Sequence, residues 1–438
     1  MADRQSSSLT HSVPVKQVDR DSSLSRGLPD KEHGKETPGE DDFPEGGARA
    51  WSVAAGTAGV LFCSFGYLNS FGVFQEYYQS HQLSDHTASQ IAWIGSLQGF
   101  FIFLSSLVGG PLFDRYGAKV IRPAVVAQVF AVMMNSLCKK YYQFMLAQGL
   151  LSGISTGLVM CPAVSATPQY FNKKRGAAMG LSITGSSLGG IVFPIALGKM
   201  LANPILGFGW SVRIIGFIML AILAPSCIAI KARLPPRKSK FLLPSAFKEA
   251  QYVTLVAGAF LMAIGMFTPF VFLPTYGVAQ GMDPTLASYL LAIANAASFP
   301  GRVVPGILMD VLGRYNMFFA AGVSTGILIL CWMRITSNAA IIVFAVLIGF
   351  CSGTIVSGMT VCFASVPKSP RNIGTYMGMG MALVSFAVLI GAPVSGQLIT
   401  RYHGFDRAFI FTGVMCLAGS FVVLVAKWAS GVGLLSRG

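Results

Sequence analysis

From Arg49 onward the chain is a succession of apolar stretches about 20–25 residues long, separated by short polar clusters. Each stretch is long enough to cross a ~30 Å hydrocarbon core. Twelve are counted, over roughly 51–74, 89–110, 120–138, 144–167, 176–200, 211–230, 252–275, 285–309, 317–335, 339–364, 375–399 and 408–428. Lipid offers no water to satisfy backbone polar groups, so segments of this length must be helices. The pattern predicts an all-α membrane protein with twelve transmembrane helices. Residues 1–48 are different: Ser, Asp, Glu, Lys, Gly and Pro dominate, and such a segment cannot bury enough apolar surface to fold. A disordered cytoplasmic tail is expected there, followed by a helical bundle over 49–231, a cytoplasmic loop over 232–250 and a second bundle over 251–438.

Composition removes other classes. Of 438 residues, 53% are hydrophobic and only 11% charged, too few to wet a soluble globule of this size. The net charge of +15 would ordinarily raise nucleic acid as a partner. Here the bases sit between apolar runs, so no nucleic-acid partner is expected and the bilayer is. With the N-terminus inside, the inner loops hold 15 Lys/Arg, including Arg115, Lys119, Lys173, Lys174, Arg175, Arg314 and Arg371, against 7 outside. That excess places both termini in the cytoplasm. The eight cysteines show no C-x-x-C or C-x-x-H spacing, so no metal site, disulfide framework or cofactor is expected. No nucleophile with a base and no paired carboxylates lie within the spans, so no catalytic residue is assigned.

A repeat gives the spans an order. The chain leaves span 2 as Gly110-Pro-Leu-Phe-Asp114-Arg115-Tyr-Gly117 and span 8 as Gly306-Ile-Leu-Met-Asp310-Val-Leu-Gly313-Arg314. Both fit G-x-x-x-D-x-x-G, 196 residues apart, and Gly149-x-x-x-Gly153 recurs as Gly349-x-x-x-Gly353, 200 residues apart. The spans therefore form two pseudo-symmetric six-helix bundles. Parallel duplication around a central loop is a transporter arrangement with its site between the halves near mid-membrane. Gly110, Asp114, Arg115, Gly117, Gly306, Asp310, Gly313 and Arg314 are candidate gating residues: the glycines allow tight turns, each aspartate suits a helix N-terminus of the other half, and Arg115 can pair across the gate. The simpler alternative is a plain turn stabilised by Asp and Gly.

These motifs resemble those of the major facilitator superfamily, over about residues 46–430. Three further segments look like its monocarboxylate-porter family: Glu45-Gly46-Gly47 before span 1, Tyr170-Phe-Asn-Lys-Lys-Arg175 before span 5, and Asn295, Ser298, Gly301 and Arg302 in span 8, which is similar to the fungal branch. Arg302 lies eight residues before Asp310, about 12 Å up the helix. An ionisable group at that depth is a functional candidate. Asn295, Ser298 and Arg302, at i, i+3 and i+7, are expected to share a helix face. The resemblance implies that Arg302 binds a substrate carboxylate, for which its planar fork is suited; a structural arginine is the alternative. Proton-coupled members carry a lysine where this chain has Asn69 and an acid where it has Ser298. Apart from Asp114 and Asp310, the predicted spans hold no Asp, Glu or His, so proton symport does not carry over.

The expected function is secondary active or facilitative transport of a small organic monocarboxylate by alternating access, through a monomer in the plasma membrane, with Arg302, Ser298, Asn295 and Asn69 at the binding site. The alternative is an exporter of a fungal secondary metabolite encoded with its biosynthetic enzymes. A non-transporting nutrient receptor on the same fold is the remaining class.

Overall fold

The computed structural model describes residues 43–235 and 241–431, and the regular structure among them is entirely helical. The tail before Phe43 and the basic residues Arg237, Lys238 and Lys240 of the central loop lie outside the described residues. Among the described residues, eleven continuous helical stretches are long and apolar enough to cross a membrane. One of them, Ala88–Asn135, has 48 residues. At 1.5 Å per residue that is about 72 Å, more than twice the hydrocarbon thickness. It turns back at Gly117, whose φ of +66° only glycine adopts without strain, so it holds two spans and the total is twelve.

The spans are built as follows. Span 1 is α1 (Gly47–Asn69) continued by α2 (Phe71–Ser80), and span 2 is α3 (Ala88–Leu104) continued by α4 (Ser106–Tyr116). Span 3 is α5 (Ile121–Asn135); span 4 joins α6 (Tyr141–Phe144), a π-helical stretch Met145–Leu151 and α7 (Ser152–Ala166). Spans 5 and 6 are α8 (Arg175–Leu201) and α9 (Gly207–Ala229). Spans 7 to 12 are α10 (Ala250–Ala279), α11 (Pro284–Leu312), α12 (Arg314–Trp332), α13 (Asn338–Ser365), α14 (Ile373–Tyr402) and α15 (Asp406–Ala429). Helix α1 starts inside the stretch expected to be tail. The loop between α9 and α10 contains a 3-10 turn, Pro244–Lys248.

Local sequence explains the ends. Thr87 and Gln90 form a reciprocal capping box that starts α3. Asp283 accepts from the Leu286 N–H at 3.1 Å, with Pro284 at the first position of α11, where its missing N–H costs nothing. The break in span 1 falls at Ser70, whose hydroxyl donates back to the Gly66 carbonyl at 2.8 Å.

One apolar core draws only on residues between Ala50 and Ile230, and another only on residues between Leu273 and Phe409. A third, containing Met160, Ile183, Met266 and Met377, joins side chains of both parts of the chain. Helix pairs α4–α14 and α8–α11 carry that junction, and glycine sets their approach. A Cβ on Gly110 would stand 1.9 Å from the Gly374 carbonyl oxygen, and one on Gly176 2.3 Å from that of Gly306. Only a residue without a side chain lets these backbones touch.

Candidate functional site

Four helix ends meet on one face of the molecule, called here the basic face: the ends of α4 and α11 and the starts of α8 and α14. The first turn of a helix has N–H groups with no partner inside the helix. At the start of α14, Gly374 and Thr375 donate their N–H groups to Asp114 at 3.0 and 2.6 Å, and the Thr375 hydroxyl adds a third bond at 2.7 Å. At the start of α8, Gly176 and Ala177 donate to Asp310 at 2.7 and 2.9 Å. Each carboxylate thus sits on the positive end of a helix from the other half, where an anion is favoured. Gly117 and Gly313 close the two motifs with φ of +66° and +100°.

Of the two arginines expected here, Arg115 departs from expectation. Arg115 is exposed and lies against its neighbour Tyr116, 5.8 Å from the ring centre. The groups that reach across are Arg314, donating to the Asn172 carbonyl at 2.8 Å, and Arg175, donating to the Ala364 carbonyl at 3.1 Å. Arg115 follows its aspartate at the exposed end of α4, whereas Arg314 begins α12 after a turn and faces the junction. Sequence reasoning also missed Gly176, Gly374 and Thr375 as receivers of the aspartates. A signal for them exists: Gly176-x-x-x-Gly180 recurs as Gly374-x-x-x-Gly378, at an offset of 198 residues that matches the other repeats.

Glu45 ties the chain ahead of span 1 to the same face. Its carboxylate accepts from the N–H groups of Asn172, Lys173 and Lys174 at 2.8, 2.7 and 3.2 Å. Partial burial pushes its pKa up, but these backbone bonds and the Lys173 charge outweigh that and hold it below the usual carboxylate value. A lowered folded pKa means stability that is present at neutral pH and lost as pH falls through that pKa. Glu45→Gln is therefore expected to lower the melting temperature at pH 7, with the gap to wild type closing as the pH falls through the lowered carboxylate pKa. Thermal unfolding of the purified protein across pH 3.5–8 checks this; a gap independent of pH would exclude the carboxylate charge as its source.

Beyond these helix ends lies an open-mouthed cavity between the two parts of the chain. Its wall is mostly apolar, and its bulkiest members are Met160, Met266, Met359, Met377 and Met381 with Phe65, Phe103, Phe267 and Phe270. Arg302, Asn295, Asn69, Ser186, Ser352 and Thr360 supply polar groups. Arg302 is only 8% exposed. Its Nη1 donates across the junction to α8, at Ser186 Oγ, Ser187 Oγ (2.5 Å) and the Ile183 carbonyl (3.1 Å). Nε is buried without a hydrogen-bond partner among the described residues, and no bond to Nη2 is found there. One nitrogen is thus fixed in place while the Nε/Nη2 edge, the side-on fork of the guanidinium, is uncommitted.

Ser298 does not join this group. It is 1% exposed and packs against α13, where a Cβ on Gly353 would stand 2.8 Å from its Oγ. Spacing of i, i+3 and i+7 covers a wide arc of helix, and the small Gly353 lets α13 take the edge on which Ser298 lies. Ser186 and Ser187 were not found from sequence, because serine is common in membrane helices and carries no signal until a charged partner faces it.

The profile of the Major Facilitator Superfamily matches residues 56–368 and 255–432. The aspyridones efflux protein apdF of Emericella nidulans is 53% identical over 398 residues, 91% of this chain and 82% of that protein. The agnestins efflux protein AgnL12 of Paecilomyces divaricatus is 39% identical over 395 residues, 89% of this chain and 90% of the relative. Among solved structures, the human organic anion transporter MFSD10 aligns with a TM-score of 0.71 at 15% identity, covering 86% of this chain and all of that one.

Proposed function

The chain belongs to the Major Facilitator Superfamily and is a multi-pass membrane transporter, not an enzyme; on that premise we propose that it exports a fungal secondary metabolite, an apolar-bodied organic anion, by alternating access. The observation that carries this reading is the cavity wall. Five methionines and four phenylalanines surround one arginine, a lining that rewards apolar bulk far more than a small monocarboxylate can use. Methionine adapts to irregular ligands, and each buried CH₂ of cargo contributes about 0.8 kcal/mol. Relatives named as efflux proteins at 53% and 39% identity support export over uptake. The resemblance to monocarboxylate porters supports the remaining part, an arginine in span 8 as anchor for an oxyanion.

In the proposed cycle residues 49–231 and 251–438 are the rocking halves of a monomer, and 232–250 connects them. The basic face is cytoplasmic, with both termini on that side, in the plasma membrane; the loop charges support this orientation. Among the described residues the hydrogen bonds between the halves run from Arg302 to the basic face. The geometry is then that of a state closed to the cytoplasm, with Asp114, Asp310, Arg175 and Arg314 as its lock.

The test is an untargeted metabolite comparison of cells and medium, in the source organism, with the gene present, deleted, and restored as Arg302→Ala. Export predicts that at least one apolar acid moves from cells to medium only with the wild-type gene. The same distribution in all three strains would refute the reading.

A further inference from the structure

The cavity has a second polar place that the gate and the arginine do not use. A Cβ on Gly190 of α8 would stand 2.9 Å from Asn69 Nδ2 and 3.1 Å from both Cγ and Oδ1 of Asn295. One asparagine from each half therefore meets over a residue that has no side chain to keep them apart. Asn295 is 4% exposed and donates its Nδ2 only to the Leu291 carbonyl of its own helix, at 3.1 Å. Among the described residues its Oδ1 has no partner, and the Asn69 amide has none either. Both side chains line the cavity. An amide that opens onto a cavity and has no protein partner there is free to bond water or a ligand.

Ser186, which holds Arg302, and Gly190 are four residues apart on α8, so they lie on one face about 6 Å apart along its axis. The geometry points to a two-pole subsite: the uncommitted Nε/Nη2 edge of Arg302 takes a planar oxyanion, and the Asn69–Asn295 pair over Gly190 takes a neutral hydroxyl or amide of the same molecule. The cargo class is thus an apolar acid with a hydrogen-bonding group at its far end, and Gly190 decides whether that end fits. This rests on Arg302 as the anion anchor proposed above. A methyl group at Gly190 would occupy the space in which the amides reach the ligand, whereas loss of one amide removes a bond and leaves the space.

Three fluorescent probes separate the poles: 6-hydroxy-2-naphthoate carries both groups, 2-naphthoate lacks the hydroxyl and 2-naphthol lacks the anion. Binding is measured by fluorescence titration of the purified full-length protein. The wild type is expected to bind 6-hydroxy-2-naphthoate about threefold to tenfold more tightly than 2-naphthoate, the range of one net hydrogen bond, and 2-naphthoate more tightly than a neutral naphthalene such as 2-naphthol. Asn295→Ala, Asn69→Ala and Gly190→Ala should each erase the hydroxyl preference while keeping the preference for the acid, which also shows that the variant is folded. Arg302→Gln should do the reverse. A wild type that prefers acids but ignores the hydroxyl overturns the amide pole alone, as does a hydroxyl preference that survives in Asn69→Ala/Asn295→Ala. A wild type that binds none of the probes, or that treats acid and naphthol alike, overturns this inference together with the anion anchor on which it rests.

Discussion

Arg302→Gln is expected to abolish export of the acidic cargo proposed above, with a loss of at least about 100-fold in transport rate at subsaturating substrate. Two effects combine. The variant has no charge to attract the oxyanion, and a charge-assisted bond to such a group is worth about 1.5–3 kcal/mol. It also leaves Ser186 Oγ, Ser187 Oγ and the Ile183 carbonyl without the Nη1 donor that now bridges the halves. Arg302→Lys separates the contributions. Lysine keeps the charge but is a single point donor; it cannot hold the serine pair with one nitrogen and present a fork with two others. An intermediate loss of about tenfold, seen chiefly as weaker substrate binding, is expected. Ser186→Ala/Ser187→Ala should loosen the arginine without removing it and cost less than either. The measurement is efflux of the compound identified by metabolite comparison from cells or vesicles containing each variant. Wild-type flux with Arg302→Gln would end the anchor role.

Asp114→Asn should shift the conformational balance rather than the affinity of the cavity. The carboxylate receives three bonds from Gly374 and Thr375 at the N-terminus of α14. An asparagine offers one oxygen and turns an NH₂ toward N–H donors that need an acceptor. With a charge-assisted bond at about 1.5–3 kcal/mol and the helix-end term at about 0.3–1 kcal/mol, a cost of about 2–4 kcal/mol to the closed basic face is reasonable. At 1.4 kcal/mol per tenfold, this moves the open-to-closed ratio by about 30- to 1000-fold. Asp310 accepts two bonds where Asp114 accepts three, so Asp310→Asn should shift it less, and the two changes should add because the sites lie on different helix pairs. Spin labels placed across the basic face should report longer distances in both variants, with the larger shift for Asp114→Asn. Unchanged distance distributions would leave these aspartates as local caps without control of the gate.

Much of this arrangement could be read along the chain. Apolar length predicts helices because lipid leaves the backbone no other way to satisfy itself, and the bilayer imposes one length on every span. The repeat brought Asp114 and Asp310 forward as a pair, and depth singled out Arg302. Partners were harder to see. Arg115, adjacent to the motif aspartate, was expected to pair across, yet the arginines that bond to the other part of the chain are Arg314, also a candidate from sequence, and Arg175, which was not. Ser298 matched the face of Asn295 and Arg302 by spacing, but Gly353 of α13 takes it. Spacing on one helix defines an arc some tens of degrees wide, and which edge meets a cavity depends on where the neighbouring helices lie.

The sequence by itself determined the class of molecule, its span count, its duplication and the depth of its buried cation, because each follows from local composition and from the fixed geometry of helix and bilayer. Only the tertiary structure decided which helix N-terminus receives which aspartate, that Ser186 and Ser187 hold Arg302 by one nitrogen, and that Asn69 and Asn295 meet over Gly190. Those contacts join residues more than a hundred positions apart, and they exist because paired glycines let particular helices touch. No property of either partner alone specifies such a meeting.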